Sequence, residues 1–99
     1  MRYLFLLNPT AGKRDCTAEL APAIRAAAQR AGIPPEKGKV VVTQYAGHAR
    51  ELAAEAAHTA QADGEPVRIW TAGGDGTFNE ALTGAQGCSL AAVGWLPFG

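Results

Sequence analysis

Apolar positions along the chain fall into blocks that alternate between two spacings. Residues 3–7 form an uninterrupted apolar run closed by Asn8-Pro9, the pattern of a buried strand. Leu20, Ile24, Ala27, Ala28 and Ala31 then recur at helical spacing, and Gly32 followed by Pro34-Pro35 stops them, so a helix is predicted over 16–31. Val40-Val41-Val42 is a β-branched run and a second strand. Ala49, Leu52, Ala53, Ala56 and Ala60 return to the 3.6-residue period until Gly64 ends it. A third strand spans the run from Val67 to Trp70. Phe78, Ala81 and Leu82 mark one face of a short helix that begins near Thr77 and stops near Gly84, and Leu90 to Leu96 is a fourth strand. The predicted strands lie near 2–8, 39–43, 66–71 and 91–96.

The order β-α-β-α-β-α-β, with short apolar strands separated by helices, implies right-handed crossovers. It predicts a parallel sheet with helices on both faces, a Rossmann-like three-layer α/β/α arrangement. In such a sheet ligands bind outside the carboxyl ends of the strands. Three connecting segments fall there, 8–14, 43–48 and 71–79, and all three are rich in Gly, Thr, Asn and Asp.

Composition narrows the function classes. The 99 residues are 47% hydrophobic and 18% charged, a globular balance for about one domain. Nine basic residues balance nine acidic ones, so no basic footprint for nucleic acid covers the surface. No apolar run reaches the ~20 residues of a transmembrane span. The opening residues do not read as a secretory signal, so a cytoplasmic protein is expected. Cys16 and Cys88 are 72 positions apart with no CxxC, and His48 and His58 do not complete a zinc-ligand spacing, so both thiols are expected free and at least half-buried.

The segment Gly73-Gly74-Asp75-Gly76-Thr77 carries the sharpest chemistry. Three glycines in four positions between a strand and a helix let a ligand approach the main chain. The helix that follows points free N–H groups and its positive dipole end at that loop, a natural place for phosphate. Asp75 would repel phosphate unless Mg²⁺ lies between them or the carboxylate handles a proton or a water. The alternative is a tight turn in which Asp75 or Thr77 merely caps the helix. Asn79 and Glu80, on the first turn, are placed to face the same cleft.

The segment Asn8-Pro9-Thr10-Ala11-Gly12-Lys13-Arg14 is not a P-loop, because Leu7 and Arg14 stand where a glycine and a Ser or Thr are required. It is a turn with exposed amides, a hydroxyl and two cations that become triphosphate contacts beside a phosphate loop. In Thr43-Gln44-Tyr45-Ala46-Gly47-His48, the Thr43 hydroxyl is expected to point into the same crevice, and His48 to cap or simply begin a helix. No GxSxG is present, and no GxGxxG follows the first strand.

Taken together, Asn8-Pro9-Thr10-Ala11-Gly12, Gly47-His48-Ala49 and Gly73-Gly74-Asp75-Gly76-Thr77-Phe78-Asn79-Glu80 resemble the diacylglycerol kinase catalytic-domain family, which includes bacterial diacylglycerol kinases, other lipid kinases and sphingosine kinases. The resemblance covers essentially the whole chain. Gly-Gly-Asp-Gly alone is shared with NAD kinases and phosphofructokinases; the Asn-Pro-x-x-Gly and trailing Asn-Glu are more specific. The unaltered Gly-Gly-Asp-Gly-Thr is closer to the bacterial diacylglycerol kinase branch than to sphingosine kinases.

The resemblance implies the N-terminal ATP-binding α/β half of a two-domain kinase, with residues 1–99 breaking off where Leu-Pro-x-Gly normally continues into Thr-Gly-Asn-Asp. A C-terminal β-rich domain, which holds the lipid site, would lie beyond Gly99. It implies transfer of the ATP γ-phosphoryl group to a lipid hydroxyl at a membrane surface, with ATP and Mg²⁺. Asn8, Pro9, Thr10, Ala11 and Gly12 would line the nucleotide site and Thr43 would contact ATP. Gly73, Gly74, Asp75, Gly76, Thr77, Phe78, Asn79 and Glu80 would wrap the phosphates, with Asp75 catalytic and metal-directed. For residues 1–99 by themselves, apolar surface near Trp95, Leu96 and Phe98 is expected to favour self-association or aggregation, a homo-oligomer being one outcome. An NAD kinase-like phosphotransferase and a non-catalytic nucleotide-binding module are the competing readings.

Overall fold

The computed structural model describes residues 1–8, 17–34, 36–72 and 75–95, with the backbone alone at 17–20 and 75. In chain order the elements are β1 (Arg2–Leu7), α1 (Thr17–Arg30), β2 (Gly38–Val42), α2 (His48–Asp63), β3 (Val67–Ala72), α3 (Asp75–Ala85) and β4 (Ala91–Trp95). The strands form one sheet in the order β2-β1-β3-β4. Every pairing is parallel, and Leu7 is level with both Val42 and Ala72. The α/β class and the seven elements are those that the apolar periodicity predicts.

Side chains alternate across the strands, which divides the core into two layers. Leu4, Leu6, Val67 and Ile69 pack on one face against Ala49, Ala53, Ala57 and Ala60 of α2 and Ala81 and Ala85 of α3. Phe5, Leu7 and Ala72 pack on the other against Ala21 and Ile24 of α1, with Tyr3, Val40 and Trp70 at the margin. The alanines along α2 have no long side chain to hold the helix off the sheet, so it lies close to β1 and β3. Pro22 falls inside α1 on its exposed side, next to the buried Ala21. It removes one helical N–H while the sheet-facing side of the helix is kept.

The helix α3 begins at Asp75, two residues before Thr77, so Gly76 belongs to its first turn. It ends at Ala85, beside the expected stop at Gly84. A Cβ at Gly84 would run into the Arg50 carbonyl oxygen and lie 3.0 Å from the Ala53 Cβ. Gly84 is therefore the point at which α2 and α3 touch backbone to backbone, and the chain turns away only at Gly87. Cys88 is free and half-buried, its Sγ 3.5 Å from the Ala57 carbonyl oxygen. Cys16 lies outside the described residues.

A charged network closes the end of the sheet opposite the strand carboxyl ends. Glu65 pairs with Lys37 at 2.6 Å, with the Met1 ammonium at 3.1 Å and with Arg2 at 3.4 Å, and Arg2 also pairs with Asp63. Hydrogen bonding from Arg2 holds the Asp63 carboxyl below its ordinary range, and Lys37 does the same for Glu65. At the exposed β4 side, Leu82 and Trp95 present large apolar side chains to solvent; Leu96 and Phe98 lie outside the described residues.

Two outcomes follow from this packing. Gly84→Ala is expected to destabilise the fold by about 1–3 kcal/mol in urea denaturation, because a methyl group has to separate two helix backbones; an unchanged midpoint would refute the close contact. Because the native Asp63 and Glu65 carboxyls titrate below their unfolded values, the stability they contribute is present above about pH 4 and disappears as pH falls through the native values. The urea midpoint is therefore expected to drop on acidification below about pH 4, and the double variant Asp63→Asn, Glu65→Gln to drop less steeply.

Candidate active site

Connections leave β1 and β3 in opposite directions, one towards β2 and the other towards β4. Their separation opens a crevice at the carboxyl ends of these neighbouring strands, the switch point at which open α/β sheets bind ligands. A cavity of about 490 Å³ occupies it. Asn8 forms its floor, Val42, Thr43, Gln44, Tyr45 and Ala46 one wall, and Gly76, Thr77 and Glu80 the other.

The floor is tied to both walls. The Asn8 backbone N–H donates to the Ala72 carbonyl at 3.0 Å, continuing the β1–β3 ladder past the last strand residue. Its side-chain Nδ2 donates to Thr77 Oγ1 at 3.0 Å, so Asn8 also holds the first turn of α3. Thr77 is buried. On the other side the Thr43 N–H and hydroxyl both donate to the Leu7 carbonyl, at 2.8 and 3.3 Å. Thr43 thus lines the cavity while its proton is directed at the main chain.

The wall formed by residues 42–46 turns from β2 into α2 at Gly47, whose φ of +89° a side chain would strain. The Gly47 N–H donates to Glu80 Oε2 at 3.2 Å, a clasp from α3 to the start of α2. The Tyr45 ring stacks on the His48 imidazole with centroids 4.5 Å apart. Its hydroxyl donates to the Glu51 carboxylate, which raises the phenol above its ordinary range. Across the crevice α3 starts at Asp75, and the N–H groups of its first turn have no intrahelical acceptor. They and the positive end of the helix dipole meet the cavity where Gly76 and Thr77 line it.

Of the residues singled out in the sequence, the structure brings Asn8, Thr43, Gly76, Thr77 and Glu80 around one cavity. Asn79 is turned away: it lies along a shallow depression with Leu82, Thr83 and Val93 at the β4 side. Helical spacing explains the split, since 76, 77 and 80 share one side of α3 and 79, 82 and 83 another. Phe78 is half-buried and does not line the cavity. Pro9, Thr10, Ala11, Gly12, Lys13, Arg14, Gly73, Gly74 and the Asp75 side chain lie outside the described residues. Gln44, Tyr45 and Ala46 line the cavity without having been singled out individually; their position directly after a predicted strand was the available signal.

The model of the diacylglycerol kinase catalytic domain matches residues 2–99. The chain belongs to the diacylglycerol kinase catalytic-domain family. Among solved structures, this family member is similar to the crystal structure of a protein described as a putative diacylglycerol kinase from Bacillus anthracis str. Sterne, with a TM-score of 0.68 and 24% identity. The match covers 99% of this kinase-family chain and 32% of the other, so the chain spans about a third of that protein's length. No curated protein matches it. Among the described residues no helix is long and apolar enough to cross a membrane.

The Asn8–Thr77 bond ties the β1 end to α3 in this kinase-family site. Thr77→Val, which preserves shape and removes the acceptor, is expected to lower stability by about 0.5–1.5 kcal/mol in urea denaturation with the circular dichroism spectrum unchanged. An unaltered midpoint would show that the bond does not hold the first turn of α3.

Proposed function

We propose that the cavity binds Mg-ATP and that the protein is a lipid kinase, transferring the γ-phosphoryl group to the hydroxyl of diacylglycerol or a similar lipid. One observation carries the reading: the amino end of α3, with Gly76 and Thr77, opens into the crevice between β1 and β3. N–H groups with no intrahelical acceptor and a positive dipole end facing a cavity of this size suit a polyphosphate. Membership in the diacylglycerol kinase catalytic-domain family supports the choice of a lipid alcohol as acceptor.

In this reading the backbone N–H of Gly76 holds a phosphate oxygen, and Asn8 keeps the first turn of α3 aimed at it. Mg²⁺ in phosphoryl transfer takes one or two carboxylates together with substrate phosphates and water. Asp75 is the carboxylate we assign to the metal, as the resemblance of the Gly-Gly-Asp-Gly-Thr segment to the family implies. When bound, Mg²⁺ would offset the charge of the phosphate oxygens. Thr43, Gln44 and Tyr45 form the wall for the remainder of the nucleotide. Transfer forms a P–O bond to the lipid oxygen and breaks the bond to the ADP oxygen, and the acceptor proton passes to a base. We place that base and the lipid-binding wall in a second, β-rich domain beyond residue 99, residues 1–99 being the nucleotide-binding domain. The protein would then work from the cytoplasm, in peripheral contact with the membrane that carries its substrate.

The test is phosphatidic acid formation by the full protein from Mg-ATP and diacylglycerol in mixed micelles. Asp75→Asn is expected to keep the circular dichroism spectrum and to lose a factor of ~10²–10³ in turnover, the usual effect of removing one charge-stabilising group. Turnover like that of the wild type in the folded variant would return Asp75 to a helix-capping role.

A further inference from the structure

We propose that His48 is a positioning residue for the nucleotide: its neutral imidazole sets the wall of the cavity formed by residues 43–46. The proposal rests on the nucleotide reading of the cavity. The decisive contact is from the Gln44 backbone N–H to His48 Nδ1, at 2.9 Å. A backbone N–H can only donate, so Nδ1 must present its lone pair and the ring proton must sit on Nε2. The same residue closes the turn a second time, its own N–H donating to the Tyr45 carbonyl at 3.1 Å. The ring then serves a third purpose, since Tyr45 stacks on it with the planes 16° apart.

Tyr45 would otherwise be a loose rim residue, being 55% exposed. It is held instead on one ring face by His48 and at its hydroxyl by Glu51. Gln44 and Tyr45 both line the cavity, while His48 itself does not. His48 thus acts through them. It pre-shapes the turn before any ligand arrives, so binding does not have to order it. The α3 side of the crevice, where the phosphoryl chemistry is proposed, has its own tie to the β1 end, from Asn8 to Thr77. Loss of His48 should therefore weaken nucleotide binding and leave the chemical step alone.

Three variants of the full chain separate this role from a general part in starting α2. Asn presents an amide oxygen near the place of Nδ1, whereas Gln reaches to the place of Nε2 and Ala offers no acceptor. His48→Ala and His48→Gln are expected to raise the KM for ATP about fivefold, the size of one lost hydrogen bond. The kcat is expected to change by less than about twofold, and His48→Asn to restore KM. Nitrogen-15 NMR of the imidazole reads the tautomer without any ligand and is expected to show an unprotonated Nδ1. An Asn variant as impaired as Ala, an Ala variant with normal KM, or a protonated Nδ1 overturns the proposal. A wild-type protein that forms no product and binds no ATP, yet shows the expected tautomer, overturns the nucleotide reading and with it this role; the His48–Gln44 bond would then stand as a purely structural one.

Discussion

The step from Leu7 to Asn8 is the constraint on which the site depends. The Leu7 carbonyl accepts from Thr43, which fixes the wall that leads from β2 to α2. The next N–H, that of Asn8, donates to Ala72 and fixes the end of β3, and the Asn8 side chain reaches α3 through Thr77. Both walls are therefore referred to one dipeptide at the end of a strand whose last four residues are all buried. A strand paired on both sides and covered on both faces cannot shift without losing both core layers, which makes it a stiff reference for loops that cannot be stiff by themselves.

The far wall depends on a second packing requirement. Glu80 reaches the Gly47 N–H only because α3 lies directly against α2, and that approach exists because position 84 carries no side chain. A methyl group there would separate the helices and draw Glu80 away from the turn. The same turn is closed from within by His48. One wall is thus held by the sheet, by a neighbouring helix and by its own first helical residue, all through backbone N–H groups that would otherwise be unpaired.

The charged network at the other end has a different character. Met1, Arg2, Lys37, Asp63 and Glu65 meet around the starts of β1 and β2 and the end of α2. Exposed pairs of this kind contribute little each and mostly bias the local arrangement of loops. The molecule therefore has a polar, solvated closure at the amino ends of its strands and a concave, polar cleft at their carboxyl ends.

Sequence alone determined the seven elements and their parallel α/β class. Strand and helix periods, and the Gly, Pro and Asn residues that interrupt them, are local properties of the chain. Only tertiary structure decided what depends on contact between distant segments. It made Gly84, read in the sequence only as the end of a helix, the contact point of α2 and α3. It placed Glu80 in the cleft and Asn79 outside it, because a one-residue step on a helix rotates the side chain by about 100° and periodicity does not say which side meets the cavity. It gave His48 a hydrogen bond and a stacking partner where the sequence offered only a helix start. That last difference arises because the partner, the Gln44 N–H, is a backbone group common to every residue, and only the path of the turn brings it to the imidazole.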